Sequence, residues 1–265
     1  MSSLHARFVA LHRQASPLLL PNAWDAASAR LWQDAGAPAV ATSSAAVAWS
    51  RGHADGGALP RAELLGSLRG MLRVTTVPLS CDIENGYSDD PEAVADLVLE
   101  IAAAGAVGIN LEDGTEAPER LAAKIAAIRR ALGDTPLFVN ARTDVYLRGM
   151  AQGDEAVAMA IERLRGYAAA GADGGFVPGL RMAHEAAAIA AAVPLAVNLL
   201  AIEGLPPLER LAIAGVRRVS AGSALFGATY AAGESALRAY LRGDFEACLV
   251  GRLDYARTNA LFAMD

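Results

Sequence analysis

Apolar and polar positions along this chain follow a repeating two-part rhythm. Short runs of branched and small apolar residues give way to longer stretches in which apolar residues recur every three or four positions, the spacing of one helical face. Two turn signatures punctuate the rhythm and alternate strictly. One is Ala-Gly-small at the end of a helical stretch: Ala35-Gly36-Ala37, Ala104-Gly105-Ala106, Ala170-Gly171-Ala172 and Ala214-Gly215-Val216. Glycine there suits the left-handed residue that ends a helix. The other is Pro-Leu opening an apolar run, at Pro17, Pro78, Pro136 and Pro194, where proline takes a strand's first position without removing a ladder bond. Strands are therefore expected to begin near Leu18, Ala39, Leu79, Val107, Leu137, Gly174, Leu195 and Arg217, separated by helices.

Eight such units predict an α/β fold, a (β/α)8 TIM barrel. The competing open, doubly wound sheet calls for a glycine-rich phosphate loop after the first strand, and that turn reads Pro21-Asn22-Ala23-Trp24-Asp25. The expected organisation is one barrel domain over 1–265, with 231–265 as a C-terminal helical extension beyond what eight units need. Met1 to Gln14 spaces Leu4, Phe8 and Leu11 on one helical face, and its charged residues do not suit a signal peptide. Ala186 to Ile202 is cut by Pro194 and Asn198, so it reads as helix, turn and strand in place of a membrane span.

Composition narrows the partners. With 54% hydrophobic residues the chain can bury a large core, and a net charge of -6 argues against nucleic acid and anionic membrane surfaces. Two distant cysteines, Cys81 and Cys248, indicate neither a disulfide framework nor a thiolate zinc site, and suit a cytoplasmic location. The single lysine, Lys124, falls in a helix, which removes a Schiff-base mechanism on a strand.

Barrel enzymes carry their chemistry at the carboxyl ends of the strands, and the polar residues concentrate there. They are Asn22 and Asp25, Thr42-Ser43-Ser44, Asp82 and Glu84, Glu112-Asp113, Arg142-Thr143-Asp144, and Asn198. Asp82, Glu84 and Glu112 come from adjacent strands, and residues two apart in a strand face the same way. Three gathered acids suit a hard divalent ion, Mg2+ first and Mn2+ second. Strand-end capping and pairing with arginine are the structural alternative. Alternation turns Cys81 outward into the packing layer. Arg142 supplies a fixed cation for a carboxylate or an enolate oxygen, or a buried partner for one of the acids. Ala48 to Gly57 reads as a long loop over the mouth, with Asp55 and His53 as acid–base candidates or as solvated loop residues.

The segments Asp82-Ile83-Glu84-Asn85-Gly86-Tyr87, Leu111-Glu112-Asp113 and Ala141-Arg142-Thr143-Asp144, in this order, resemble the isocitrate lyase and phosphoenolpyruvate mutase superfamily. The likeness covers Pro17 to about Thr229. It implies Mg2+ with Asp82 as nearest ligand and Glu84 and Glu112 acting mostly through water. It also implies Ser43, Ser44 and Ala45 at the substrate carboxylate, Asp55 on a gating loop, and Arg142 on the substrate. Subunits are expected to pair by exchanging a C-terminal helix, as a homodimer or homotetramer.

One departure bears on the reaction. The lyases carry K-x-C-G-H after the fourth-strand acid, and here the chain runs Glu112-Asp113-Gly114-Thr115-Glu116-Ala117-Pro118. The lysine and asparagine of the phosphonate enzymes are missing from it too. What remains is a metal holding a 2-oxo-carboxylate or its enolate, which implies a carbon–carbon lyase for a small 2-oxo- or 2-hydroxy-di- or tricarboxylate. Oxaloacetate decarboxylase-like or isocitrate and methylisocitrate lyase-like activity fits, with Asn198 among the substrate contacts and Asp55, Tyr87 or a water as proton donor. The alternatives are a phosphoenolpyruvate mutase or phosphonopyruvate hydrolase-type enzyme, and a 2-oxo-acid-binding protein with reduced catalysis.

Overall fold

All four glycines of the Ala-Gly signature adopt positive φ, from 82° at Gly215 to 110° at Gly171, so each ends a helix and hands the chain to a strand. The computed structural model describes residues 3–263. The ends of the expected first segment, Met1–Gln14, and of the expected extension, 231–265, thus lie partly outside the described residues.

The elements run α1 (Leu4–Leu11), β1 (Leu18–Leu20), β2 (Asn22–Ala23), α2 (Ala26–Asp34), β3 (Val40–Thr42), α3 (Ser44–Ser50) and α4 (Arg61–Val74). There follow β4 (Leu79–Asp82), α5 (Pro91–Ala104), β5 (Gly108–Glu112), α6 (Pro118–Leu132), β6 (Phe138–Arg142), α7 (Gly153–Ala170) and β7 (Gly174–Phe176). The chain finishes with α8 (Ala183–Ala192), β8 (Ala196–Leu200), α9 (Leu208–Ile213), β9 (Arg218–Ser220), α10 (Ala224–Leu241), α11 (Phe245–Leu249) and α12 (Tyr255–Phe262).

Every strand pair is parallel, in the order β1-β9-β8-β7-β6-β5-β4-β3-β2. β1 and β2 are two halves of one barrel strand divided by Pro21. Leu18–Leu20 pairs with Arg218–Ser220, whereas Asn22–Ala23 pairs with Ala41–Thr42, so the chain closes the ring where it changes partner. Proline is tolerated there because its missing N–H falls between the two ladders. The result is the expected eight-unit barrel.

Two apolar clusters follow from strand alternation. The larger lies between strands and helices; it includes Cys81, Ile83, Ile109, Val139 and Val197 with Leu68, Val94, Ile125 and Leu164. Cys81 is thus a packing residue, and burial pushes its thiol up to about 12. The smaller plugs the amino-terminal end of the barrel with Phe8, Leu18, Leu20, Ala39, Ala41, Val107 and Phe138. Helix α1 supplies Phe8, while Leu4 of the predicted face stays exposed at 38%. Between this plug and the mouth the interior is polar, with buried Ser80, Asn110, Asn140, Asn198, Arg218 and Ser220.

Three expectations need correction. Ala48, Trp49 and Ser50 belong to α3, because the Ser43 side chain accepts from the Ala46 amide and caps an alanine-rich turn, so the loop starts only at Arg51. Asp25 is the N-cap of α2, in a reciprocal capping box with Ser28. Asp113 is held beneath the mouth by Arg163, the Tyr167 hydroxyl and the Asp144 amide. Helix α10 runs through residue 230 to Leu241 without a break. Among the described residues no helix is long and apolar enough to cross a membrane.

His12 stacks on Phe138 with centroids 4.3 Å apart, and its Nδ1 contacts the Phe8 carbonyl at 2.8 Å. Burial, then the Arg218 charge, lowers its pKa to about 3. The unfolded chain takes up this proton near 6.5 and the folded one does not, so the site's stabilisation is intact above 6.5. It is lost as pH falls towards about 3, by up to ~1.4 kcal/mol per pH unit. Urea unfolding of His12→Gln should show a flatter stability curve than the wild type between about pH 6 and 4; parallel curves would refute the assignment.

Candidate active site

The carboxyl halves of β2 to β9 converge on a cavity of about 150 Å3. Its walls include Ser43, Ser44, Ala45, Asp55, Asp82 and Arg142, and Asn22, Asn110 and Ser220 lie deeper. A second hollow shares Ser44, Asp55 and Arg142 with it and adds Glu84, Glu112 and Arg148. Ser43, Ser44, Ala45, Asp55, Asp82, Glu84, Glu112 and Arg142 therefore meet at one mouth.

Asp82 ends β4 and is fixed from two sides. Its amide donates to Thr42 Oγ1 at 2.7 Å, and its Oδ2 accepts from the Ser44 amide at 3.1 Å, in the first turn of α3. Glu84 reaches the mouth for a different reason from the one expected. The strand stops at Asp82, and Glu84 adopts φ 51°, a left-handed conformation that costs a side-chain-bearing residue energy. Tyr87 is left-handed as well, at φ 58°. Turn strain, not strand alternation, aims Glu84.

Glu112 and Arg142 end adjacent strands in register and form an ion pair at 2.5 Å. Arg142 Nε also donates to Asp144 Oδ1 at 2.6 Å, and its guanidinium carbon lies 5.9 Å from the Phe176 ring centre. Asp144, fully buried, takes Arg148 as well. Arg142 is thus paired with acids and also borders the cavity.

The acids are crowded. Burial, opposed by Arg142 and reinforced by Asp82, Asp144 and Glu84, pushes Glu112 up to about 8. Burial and the charge of Asp55 push Glu84 upward too, and its Oε1 is buried without a hydrogen-bond partner. Unpaired acidic oxygens at a barrel mouth suit a hard divalent cation, which relieves both the orphaned oxygen and the repulsion. Among the described residues no three His, Cys, Asp or Glu side chains form a ready-made cage.

Asn198 does not line the cavity. It lies one layer below and donates to Ser220 Oγ at 3.2 Å. His53 pairs with Glu63 at 3.2 Å and takes no part in either hollow. Lys124 is buried on α6 and donates to the Asn85 carbonyl. Asn110 and Arg218 stand ahead of the last residue of their strands and read as packing, while Ser220 ends β9 without a motif to mark it; the signal was polarity at inward positions.

Residues 8–241 match the family model for phosphoenolpyruvate phosphomutase. The chain belongs to the isocitrate lyase and phosphoenolpyruvate mutase superfamily. An uncharacterized protein of Mycobacterium tuberculosis is 39% identical over 243 residues, covering 88% of each chain. An oxaloacetate decarboxylase of Bradyrhizobium sp. is 33% identical over 234 residues, covering 83% of this chain and 78% of its own. A solved structure from Burkholderia cenocepacia J2315, described as a candidate phosphonomutase, is 40% identical with a TM-score of 0.85, covering 89% of this chain and all of that one. As a superfamily member, this chain has only five residues, 113–117, between the acid that ends β5 and the start of α6.

Buried acids that hold the scaffold should differ from acids that face the cavity. Asp113→Ala strands Arg163 and the Tyr167 hydroxyl and should cost about 3–5 kcal/mol, whereas Asp82→Ala should cost no more than about 1 kcal/mol, both read by denaturant unfolding. Equal losses would contradict the division.

Proposed function

We propose that this chain is a Mg2+-dependent carbon–carbon lyase for a small 2-oxo- or 2-hydroxy-di- or tricarboxylate, with an oxaloacetate-like acid as first candidate. The observation that carries the reading is that Arg142 borders two adjoining hollows at one barrel mouth, the first lined also by Asp82 and the second by Glu84 and Glu112. A volume of about 150 Å3 suits a compact acid better than a drug-sized ligand. The 33% identity to an oxaloacetate decarboxylase, over most of both chains, supports that choice of substrate class.

Asp82 would be the nearest ligand of the ion, with Glu84 and Glu112 holding its waters. Bound there, Mg2+ supplies Lewis-acid stabilisation of charge developing on a substrate oxygen. Ser43, Ser44 and Ala45, at the start of α3, would hold a carboxylate with hydroxyl and amide hydrogens. Arg142, stiffened by Asp144, would meet the negative charge as the carbon–carbon bond breaks. Asp55 borders the cavity from the loop after α3 and is the choice for moving the proton. Asn198 would act through Ser220. A site without the lyases' cysteine-bearing loop fits a reaction whose second product, such as carbon dioxide, needs no protein acid to leave.

The family model and the Burkholderia relative favour one second reading, phosphonopyruvate-type chemistry at the same site. The exposed Leu237, Leu241, Phe245 and Tyr255 of the C-terminal helices, with Val250 between the last two, support pairing with another copy of the chain, by the helix exchange the superfamily resemblance implies.

With Mg2+, one acid among oxaloacetate, isocitrate, methylisocitrate, 2-oxoglutarate and phosphonopyruvate should turn over, and a chelator or Asp82→Ala should abolish it. Turnover that survives the chelator would sink the proposal, and consumption of phosphonopyruvate alone would replace it by the second reading. Light scattering should give the mass of a dimer or tetramer; a monomer at micromolar concentration would exclude the pairing.

A further inference from the structure

We infer that Arg218 sets the hydrogen-bond polarity of the cavity floor, turning Asn110 and Ser220 into donors that receive an acceptor-only group such as a carboxylate oxygen. The choice of a small carboxylate rests on the function proposed above, while the polarity itself follows from the network alone.

Arg218 opens β9 inside the barrel and is fully buried. Among the described residues no carboxylate lies within ion-pair distance of it; its bonds go to neutral groups. Nε donates to Ser220 Oγ at 2.9 Å, and Nη2 donates to Asn110 Oδ1 at 3.3 Å. A guanidinium has donors and no acceptor, so every group facing it must present a lone pair. This settles which way the neighbouring amide turns.

Asn110 Oδ1 accepts a second bond, from Asn140 Nδ2 at 2.8 Å, which uses both of its lone pairs. The Asn110 Nδ2 hydrogens have no protein partner among the described residues, and Asn110 borders the cavity. Ser220 Oγ accepts from Arg218 Nε and from Asn198 Nδ2 at 3.2 Å, so its lone pairs are also taken. Its own hydrogen has only a 3.3 Å contact with Asn198 Oδ1 to compete with an oxygen in the cavity. Asn22, beside them, is already locked, donating to the Thr42 carbonyl and accepting from the Gly222 amide. Two side chains that are ambivalent by nature thus become hydrogen donors at the deep end of the site.

The cation is there despite the cost of burying a charge, with its Nη1 hydrogens unpartnered beneath the site. Burial lowers its pKa to about 9, and it stays donor-only at neutral pH. A methionine of similar length would fill the same space and leave Asn110 and Ser220 free to turn either way.

The test is calorimetric titration of Mg2+-loaded protein with oxalate, which only accepts, and with oxamate, in which an amide replaces one carboxylate. In Arg218→Met, oxalate affinity should fall at least about tenfold with oxamate much less affected, and Arg218→Lys should recover part of the loss. Asn110→Asp covers the case in which Arg218→Met does not fold. Its carboxylate would pair with Arg218, holding or raising the melting temperature, yet it has no hydrogens to offer, so oxalate should bind at least about tenfold more weakly. Folded Asn110→Asp and Arg218→Met proteins that keep wild-type oxalate affinity would overturn the donor floor and leave the proposed function standing. A wild type that binds neither ligand overturns both.

Discussion

Negative charge crowded at the ends of two neighbouring strands is the constraint around which the rest of this molecule is arranged. Asp82 and Glu112 stand on β4 and β5, Glu84 is turned in from a left-handed residue, and Asp144 lies buried behind Arg142. Water alone would screen such a group, but the barrel mouth removes much of it. The Arg142–Glu112 pair is the internal answer, and it is incomplete, since Glu112 is still pushed up to about 8 and an oxygen of Glu84 goes unpartnered. Under the proposed function, a divalent cation would complete that neutralisation.

The barrel bears this load because its parts are specialised along the axis. The amino-terminal end is closed by Phe8, Phe138 and the aliphatic residues of β1 and β3. The middle holds amides, hydroxyls and one guanidinium, bonded to one another across strands distant in sequence. The mouth carries the charges. Outside, the strand–helix layer is mainly apolar and fixes each strand end to the helix that follows. Asp113 ties these layers together: it faces away from the cavity and anchors Arg163 and Tyr167 of α7 while holding the Asp144 amide in place. Two adjacent acids, Glu112 and Asp113, serve opposite sides of one strand end.

Much of the architecture was legible in the chain, because strand and helix periods, Ala-Gly helix ends and Pro-Leu strand starts are local signals. Every expected strand start fell within one residue of the observed one, and the turn glycines adopted the left-handed backbone that predicted them. Local signals also misled where tertiary context outweighed them. Ala48 to Ser50 joined a helix once Ser43 capped it, and Asp25 capped α2 instead of facing the mouth.

The sequence by itself determined the alternation of elements, the polar residues at strand ends and the superfamily they resemble, since each depends on neighbours a few positions apart. Only the tertiary structure decided which of those residues share a cavity. Barrel closure at Pro21 brings β1 beside β9, and with it Arg218 and Ser220 under Asn110 from a strand more than a hundred residues away. Hydrogen-bond direction inside a closed ring depends on what stands opposite, and no local pattern records that.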